Sequence, residues 1–303
     1  LRNATKLKSK TKNTEDEKMK KMKKIIGLML IVSLLFSITG CGNDAANTDP
    51  AADAQKPAEQ DNPGQEAENQ ETAEQETILL AAAASLKNCM DDELIPLFEE
   101  KNPNVKVDAT YDSSGKLQTQ IEEGAEVDVF MSAAMKQMNA LDEKGLMLKD
   151  SIVELLENKI VLVVPKGNKD ISSFEEILKA DAIAVGDPES VPAGQYAKES
   201  FESLGIWNDV AAKASLGTNV TEVLNWVAEG SADAGVVYAT DAASNENVDV
   251  VAEAPEGSVS KVIYPVGIVN ATSKADSSKL FVEFLQSEDA LKIFEKYGFT
   301  ANK

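Results

Sequence analysis

The sequence predicts an α/β fold with mainly parallel sheets. Short continuous apolar runs recur along the chain, such as Ile78–Ala84 (ILLAAAA) and Lys159–Pro165 (KIVLVVP). Such runs mark strands buried on both faces. Between them apolar residues recur at helical spacing, so strand and helix alternate. Small or hydroxyl-bearing residues sit at several of the strand ends, where ligands of such sheets bind.

Taken in order, Ile78–Ala84 is the first strand, and Ser85 ends it. Leu86, Met90, Leu94, Leu97 and Phe98 follow at helical spacing, and Pro96 kinks or restarts that helix. Val105–Tyr111 is the next strand, followed by a turn at Asp112–Gly115 and a short helix closed by Gly124. Val127–Met131 is a strand, and Met135, Met138 and Leu141 mark a helix that Gly145 ends. Lys159–Pro165 is a strand, and Ser172-Ser173-Phe174-Glu175 has the form of a capping box that starts another helix. Ile183–Val185 is a buried strand that feeds Gly186–Lys198 (GDPESVPAGQYAK), where two prolines and two glycines force a turn before a helix that opens near Gly194. Thr218–Glu222 opens a helix with Val223, Leu224 and Val227 on its inner face, and Ala234–Tyr238 is a strand. Ile263–Val269 is a strand in which Pro265 points to an edge or crossover position. Two helices and Tyr297–Thr300 close the chain.

The N-terminal region has a different character. Lys18–Lys24 is basic, and the apolar run Ile25–Ile38 has 14 residues, short for a bilayer span. With Ile38-Thr39-Gly40-Cys41 after it, the segment has the form of a secretory signal. It resembles a bacterial lipoprotein signal, which implies that Cys41 is lipidated and becomes the mature N-terminus. An N-terminal transmembrane anchor is the alternative. Met19 or Met22 is the expected start, which leaves Leu1–Lys18 without a structural role. Asn43–Glu76 carries almost no large apolar residue; such a stretch cannot offset its chain entropy, so it is expected to be a disordered, self-repelling tether. The expected organisation is thus 1–40 extension and signal, 41–76 lipidated cysteine and acidic linker, and 77–303 folded domain.

Composition excludes several functions. The formal charge is −21; setting aside the first 40 residues, with 10 basic and 3 acidic side chains, leaves 20 against 48, a net of −28. Such a body is a poor nucleic-acid binder, and any anion site on it must work through short-range donors. There is no histidine, which removes Ser-His-Asp and Cys-His catalysis and the common zinc sets. Cys41 and Cys89 are the two cysteines. With Cys41 assigned to the signal, Cys89 has no partner and is expected to be a buried structural thiol.

The strand ends share one chemistry. Ser85, Ser113, Ser114, Ala193, Val220 and Tyr238 supply hydroxyls, or backbone N–H groups at helix starts. None is a cation. A donor-only set suits a small, fully ionised oxyanion and rejects a protonated one, whose O–H finds no acceptor. Taken singly, Ser85 and Ser114 also read as helix N-caps, Ser132 as a further cap, and Val220 and Tyr238 as core.

The runs AAAASL (Ala81–Leu86), SSGKL (Ser113–Leu117), GAEVDVFMSA (Gly124–Ala133), GDPESVPAGQYAK, GVVYATDA (Gly235–Ala242) and YGFT (Tyr297–Thr300) together resemble the molybdate-binding receptors of ABC importers. The resemblance covers essentially all of Thr77–Lys303. It implies a two-lobed periplasmic-binding-protein type II fold, with two crossover strands and a ligand cleft between the lobes: lobe one 77–160 plus 265–303, lobe two 161–264. It implies that molybdate or tungstate is held by the hydroxyls of Ser85, Ser114 and Tyr238 and the N–H groups of Ala193 and Val220. Gly115 departs from the pattern, since many relatives carry another hydroxyl residue there. The implied protein is a monomeric, lipid-anchored receptor without cofactor or catalytic activity, serving an ABC permease and its ATPase. The rivals are a receptor for another oxyanion such as sulfate or a small organic anion, a Ser–Lys hydrolase, and an adhesive surface lipoprotein.

Overall fold

The computed structural model describes residues 75–302. The expected signal, Cys41 and all but the end of the expected tether lie outside the described residues. In chain order the elements are β1 (Glu76–Ala83), α1 (84–101), β2 (Val105–Asp112), α2 (Ser114–Glu122), β3 (Val129–Met131), α3 (Met135–Glu143), β4 (Val153–Glu157), β5 (Ile160–Pro165), β6 (Ile183–Gly186), α4 (Pro192–Ser203), α5 (Trp207–Ala211), β7 (Ala214–Gly217), α6 (Val220–Ala228), β8 (Ala234–Tyr238), α7 (Ala239–Ala243), β9 (Val248–Glu253), β10 (Ile263–Ile268), α8 (Ala275–Leu285), α9 (Glu288–Lys296) and β11 (Thr300–Ala301).

The strands form two sheets, in the orders β11-β4-β10-β3-β1-β2 and β7-β6-β8-β5-β9. The chain leaves the first sheet between β4 and β5 and returns between β9 and β10. Both sheets are mixed, not mainly parallel. β1 pairs in parallel with β2 and β3, and β6 with β7 and β8. The strands that carry the chain between sheets run against their neighbours: β10 against β3 and β4, β5 against β8 and β9. Alternation of helix and strand reveals the parallel units; the crossings add the antiparallel ones.

Pro265 is not at an edge. β10 lies inside its sheet, and the register against β4 shifts between Tyr264 and Pro265. That irregularity accommodates the missing N–H, while the Pro265 carbonyl still accepts from the Ser132 N–H at 2.9 Å. Pro96 is absorbed in a related way. α1 is a composite of a tight 3₁₀ turn Ala84–Leu86, an α-helical piece Lys87–Cys89, a π turn Met90–Leu94 and a last α segment Ile95–Lys101. The carbonyl that the Pro96 ring would strike belongs to Asp92, inside the widened turn. The capping box at Ser172 is also displaced. Ser172 donates through its N–H and hydroxyl to Glu176, not Glu175, and the element that follows is a 3₁₀ helix, Glu175–Lys179.

One continuous apolar cluster spans both sheets and their helices, and a smaller one lies under α2 and α3. Cys89 is buried in the larger cluster with its thiol directed to the Leu86 carbonyl at 3.1 Å, and burial pushes its pKa far up.

Candidate functional site

The run 186–198 folds as its composition requires. A Cβ on Gly194 would sit 2.0 Å from the Gly186 carbonyl oxygen, and one on Gly186 would sit 2.5 Å from Val191 Cγ1. Both glycines serve close backbone approach, which draws the end of β6 against the start of α4. Pro192 opens α4, where its missing N–H costs nothing. Ala193 is the next residue and is fully buried; its N–H belongs to the first turn, where no intrahelical acceptor exists.

α6 starts in the same way. The Asn219 side chain accepts from the Glu222 N–H at 3.0 Å. That cap consumes the third N–H of the helix, while Val220 contributes the first. Val220 is buried, and α6 packs on the turn 84–86 that holds Ser85. A small cavity of about 80 Å³ is lined by Ser85, by Thr221 and Leu224 of α6, and by Thr240 and Asp241 of α7, among others.

None of the strand-end serines caps its helix. Ser85 lies within the 3₁₀ turn, Ser113 at the N-cap of α2 makes no capping bond, and Ser114 is the first residue of α2. Ser132 is no cap either; Ala134 holds that position for α3, and the Ser132 hydroxyl bonds the Ala134 carbonyl at 2.8 Å. Ser114 is fully buried, and its hydroxyl oxygen accepts the Ala133 N–H at 3.0 Å. An amide N–H can only donate, so the Ser114 proton is left to point elsewhere. The Ser85 hydroxyl lies 2.9 Å from that of Tyr264. Tyr238 closes β8, and its hydroxyl donates to the Ala133 carbonyl, just beyond β3 of the other sheet, at 3.3 Å. Burial drives the phenols of Tyr238 and Tyr264 well above their ordinary pKa, so both keep their protons.

Among the contacts that join the two halves are Tyr238 to Ala133, the Gly115 N–H to the Ser190 carbonyl at 2.9 Å, and Gln137 Nε2 to Gln195 Oε1 at 3.2 Å. Ser190 and Gln195 flank Ala193 on either side. The structure thus brings Ser114, Tyr238 and the start of α4 to one junction between the sheets, and Ser85 and the start of α6 to an adjoining one. The two are connected through the Tyr238 and Tyr264 rings, 5.4 Å apart edge to face.

Sequence reasoning did not find Gln137, Gln195, Asn158, Tyr264 or Thr240. Gln137 carried a signal: it is a polar residue on the inner face of α3, beside Met138 and Leu141. Gln137 Oε1, Gln195 Nε2 and Ser113 Oγ are all buried without a partner among the described residues. Such unmet groups are expected where a polar ligand completes the bonding. Cationic help is scarce. Lys87 and Lys116, the lysines adjoining these serines in sequence, are paired with Asp91 and Asp112, and the chain has no arginine after Arg2. Asp241 faces the tyrosines from α7; burial lifts its pKa to about 7, and its Oδ2 has no partner among the described residues.

Comparison with known proteins agrees with this architecture. A family profile described as bacterial extracellular solute-binding protein matches residues 78–300. YvgL of Bacillus subtilis (strain 168), provisionally named an ABC transporter substrate-binding lipoprotein, is 43% identical over 226 residues, covering 74% of this chain and 86% of its own. The molybdate-binding protein ModA of Escherichia coli (strain K12) is 39% identical over 238 residues, covering 75% and 90%. Among solved structures, the periplasmic molybdate-binding protein of Azotobacter vinelandii superposes with a TM-score of 0.67 at 21% identity, over 75% of this chain and all of that one, and so speaks for the fold. Two mixed sheets joined by two crossings, with donors gathered where they meet, make this chain a two-lobed, non-enzymatic member of the bacterial extracellular solute-binding proteins.

Proposed function

We propose that this chain captures molybdate, and tungstate, outside the cytoplasmic membrane and delivers it to an ABC permease. The observation that carries this is the set of uncharged donors gathered where the two sheets meet. Ser114 accepts the Ala133 N–H and keeps its own proton to donate, Tyr238 stays protonated and turns its hydroxyl from the Ala133 carbonyl to the anion as the anion binds, and two helix starts add backbone N–H groups. Ser85 and Ser114 come from the first sheet; Ala193, Val220 and Tyr238 come from the second. Ligand grip therefore requires both lobes, and hinge closure about the two crossings is the binding step. The E. coli relative's name supports the choice of molybdate.

The energetics suffice without a salt bridge. Five charge-assisted bonds at about 1.5–3 kcal/mol each give roughly 8–15 kcal/mol gross. After association and closure costs, micromolar to nanomolar dissociation constants are in range. Selection against smaller sulfate follows from fixed backbone donors, which cannot move inward to follow a shorter bond.

The remaining features complete the reading. Cys41 carries the lipid, 41–76 is the tether, and lobes 77–160 plus 265–303 and 161–264 close as a monomer. The lipoprotein-like signal ending at Cys41 and the lipoprotein designation of the B. subtilis relative support the anchor. Titration calorimetry with molybdate, tungstate, sulfate and phosphate tests the function; sulfate binding as tight as molybdate overturns the specificity. C41A tests the anchor, since it should release the protein from membranes.

A further inference from the structure

Among the proposed contacts, Ser85 is the one whose polarity is not fixed by its immediate neighbour. Two hydroxyls 2.9 Å apart, Ser85 and Tyr264, can share their bond in either direction. Groups further along bias the direction. The Lys159 N–H donates to Asn158 Oδ1 at 2.8 Å. This turns the amide oxygen to the backbone and its NH2 group the other way. Asn158 Nδ2 then donates to Thr240 Oγ1 at 2.9 Å and to the Tyr264 hydroxyl at 3.3 Å. An amide NH2 has two protons and accepts nothing, so both of its bonds run outward.

The Tyr264 oxygen is therefore an acceptor toward Asn158, and it keeps its own proton to give to Ser85 Oγ, 2.9 Å away. With the Tyr264 proton on Ser85 Oγ, the Ser85 proton has no place in the chain and points out of it. We infer that Asn158 and Tyr264 are positioning residues that hold Ser85 as a hydrogen-bond donor to the bound oxyanion, through a one-way chain Asn158 to Tyr264 to Ser85. Burial strengthens the arrangement. Tyr264 is fully buried, so water does not compete for its proton, and its phenol stays protonated at any ordinary pH. The chain also spans the molecule. Thr240 follows β8 of the second sheet, Asn158 lies in the β4–β5 crossing, and Ser85 ends β1 of the first. The inference rests on Ser85 being a ligand contact.

The consequence is a selectivity device. A Ser85 that must donate favours a fully ionised tetrahedral anion and penalises one carrying a proton. In Y264F the Ser85 oxygen regains a free lone pair and can accept from a protonated anion. In N158D the lost NH2 is replaced by an acceptor, which draws the Tyr264 proton away from Ser85.

The test is a double-mutant cycle of S85A and Y264F in the full-length chain, read by calorimetry with molybdate and with hydrogen phosphate, alongside the melting temperatures of the ligand-free proteins. Y264F is expected to weaken molybdate about tenfold and to narrow the molybdate-to-phosphate ratio. In the S85A background its cost on molybdate should fall below twofold, since residues coupled through one bond are not additive. A purely structural tyrosine would cost the same in both backgrounds and leave the ratio unchanged, and that result overturns the inference. N158D, with its backbone bond to Lys159 retained, provides the second arm if Y264F does not fold. It should narrow the same ratio, and an unchanged ratio also overturns the inference. A wild-type protein that gives no heat with molybdate instead overturns the molybdate reading, and the inference with it; wild-type binding with an additive cycle sinks the inference alone.

Discussion

At the scale of single residues, Gly115 shows how a site position gets its identity. The resemblance leads one to expect a hydroxyl residue there, and its absence looks like a lost bond. In the structure a Cβ on Gly115 would lie 2.4 Å from the Ser190 carbonyl oxygen and 2.7 Å from its Cα. The glycine lets two backbones from opposite halves meet, so its value lies in closure. G115A should therefore leave the ligand-free melting temperature nearly unchanged and weaken molybdate at least tenfold, about 1.4 kcal/mol or more, with the change in the dissociation rate. Calorimetry with stopped-flow dissociation checks this; unchanged affinity means that the Gly115–Ser190 contact is not part of the closed state. S114A removes a buried donor and should cost about 1.5–3 kcal/mol of binding, read in the same experiment. Asp241 makes a prediction in pH. Burial lifts its pKa from near 4 to about 7. Between those values the native state holds a proton that the unfolded chain has lost, so this group's contribution to stability falls as pH rises and levels off above about 7. D241N removes that slope. Its urea midpoint should gain on wild type between pH 5 and pH 8, and a difference that stays constant would assign the ionised form a compensating partner.

At the scale of elements, the start of α6 ties stability to binding. Asn219 caps the helix through the Glu222 N–H, and the Glu222 carboxylate reaches back to the Thr218 N–H at 2.6 Å, a reciprocal cap. N219A should cost about 1 kcal/mol, a fall of about 2–4 °C in melting temperature for a domain of this size. It should also weaken molybdate, because the Val220 N–H is held in place by the same turn. Calorimetric scanning and titration together distinguish this from a change in stability alone. Which elements were legible follows from burial. β5 and β8 are buried along nearly their whole length and β1 from Leu80 on, and their apolar runs are plain in the sequence. β7 and β9 are edge strands with most residues partly or fully exposed, and β4 is half exposed; none has a pattern that separates it from a loop. Pro265 suggested an edge or a crossover; β10 is the crossover, and the edge alternative stayed open because a lone strand cannot know that a shifted register will receive the proline. The donor-bearing residues Ser85, Ser114, Ala193, Val220 and Tyr238 stand at strand ends and helix starts, which punctuation marks in the sequence. Asn158, Tyr264 and Gln195 act across the fold, and only tertiary contact reveals them.

At the scale of the molecule, the charge balance makes a prediction that separates steering from grip. Residues 77–303 hold 19 lysines and no arginine against 38 acidic side chains. A dianion approaching a body of net charge −19 is repelled at long range and held only after it meets the donors between the lobes. Screening reaches about 10 Å at 0.1 M salt and about 3 Å at 1 M. Added salt should thus lower the repulsion met during approach and leave the short bonds in the closed, dry site almost untouched. The association rate for molybdate should rise with ionic strength, opposite to a receptor steered by a basic patch, while the dissociation rate stays level. Stopped-flow fluorescence from Trp207 and Trp226 in inert monovalent salt measures both. An association rate that falls with salt would place an attractive cationic surface at the cleft mouth and remove the premise that uncharged donors alone capture the anion.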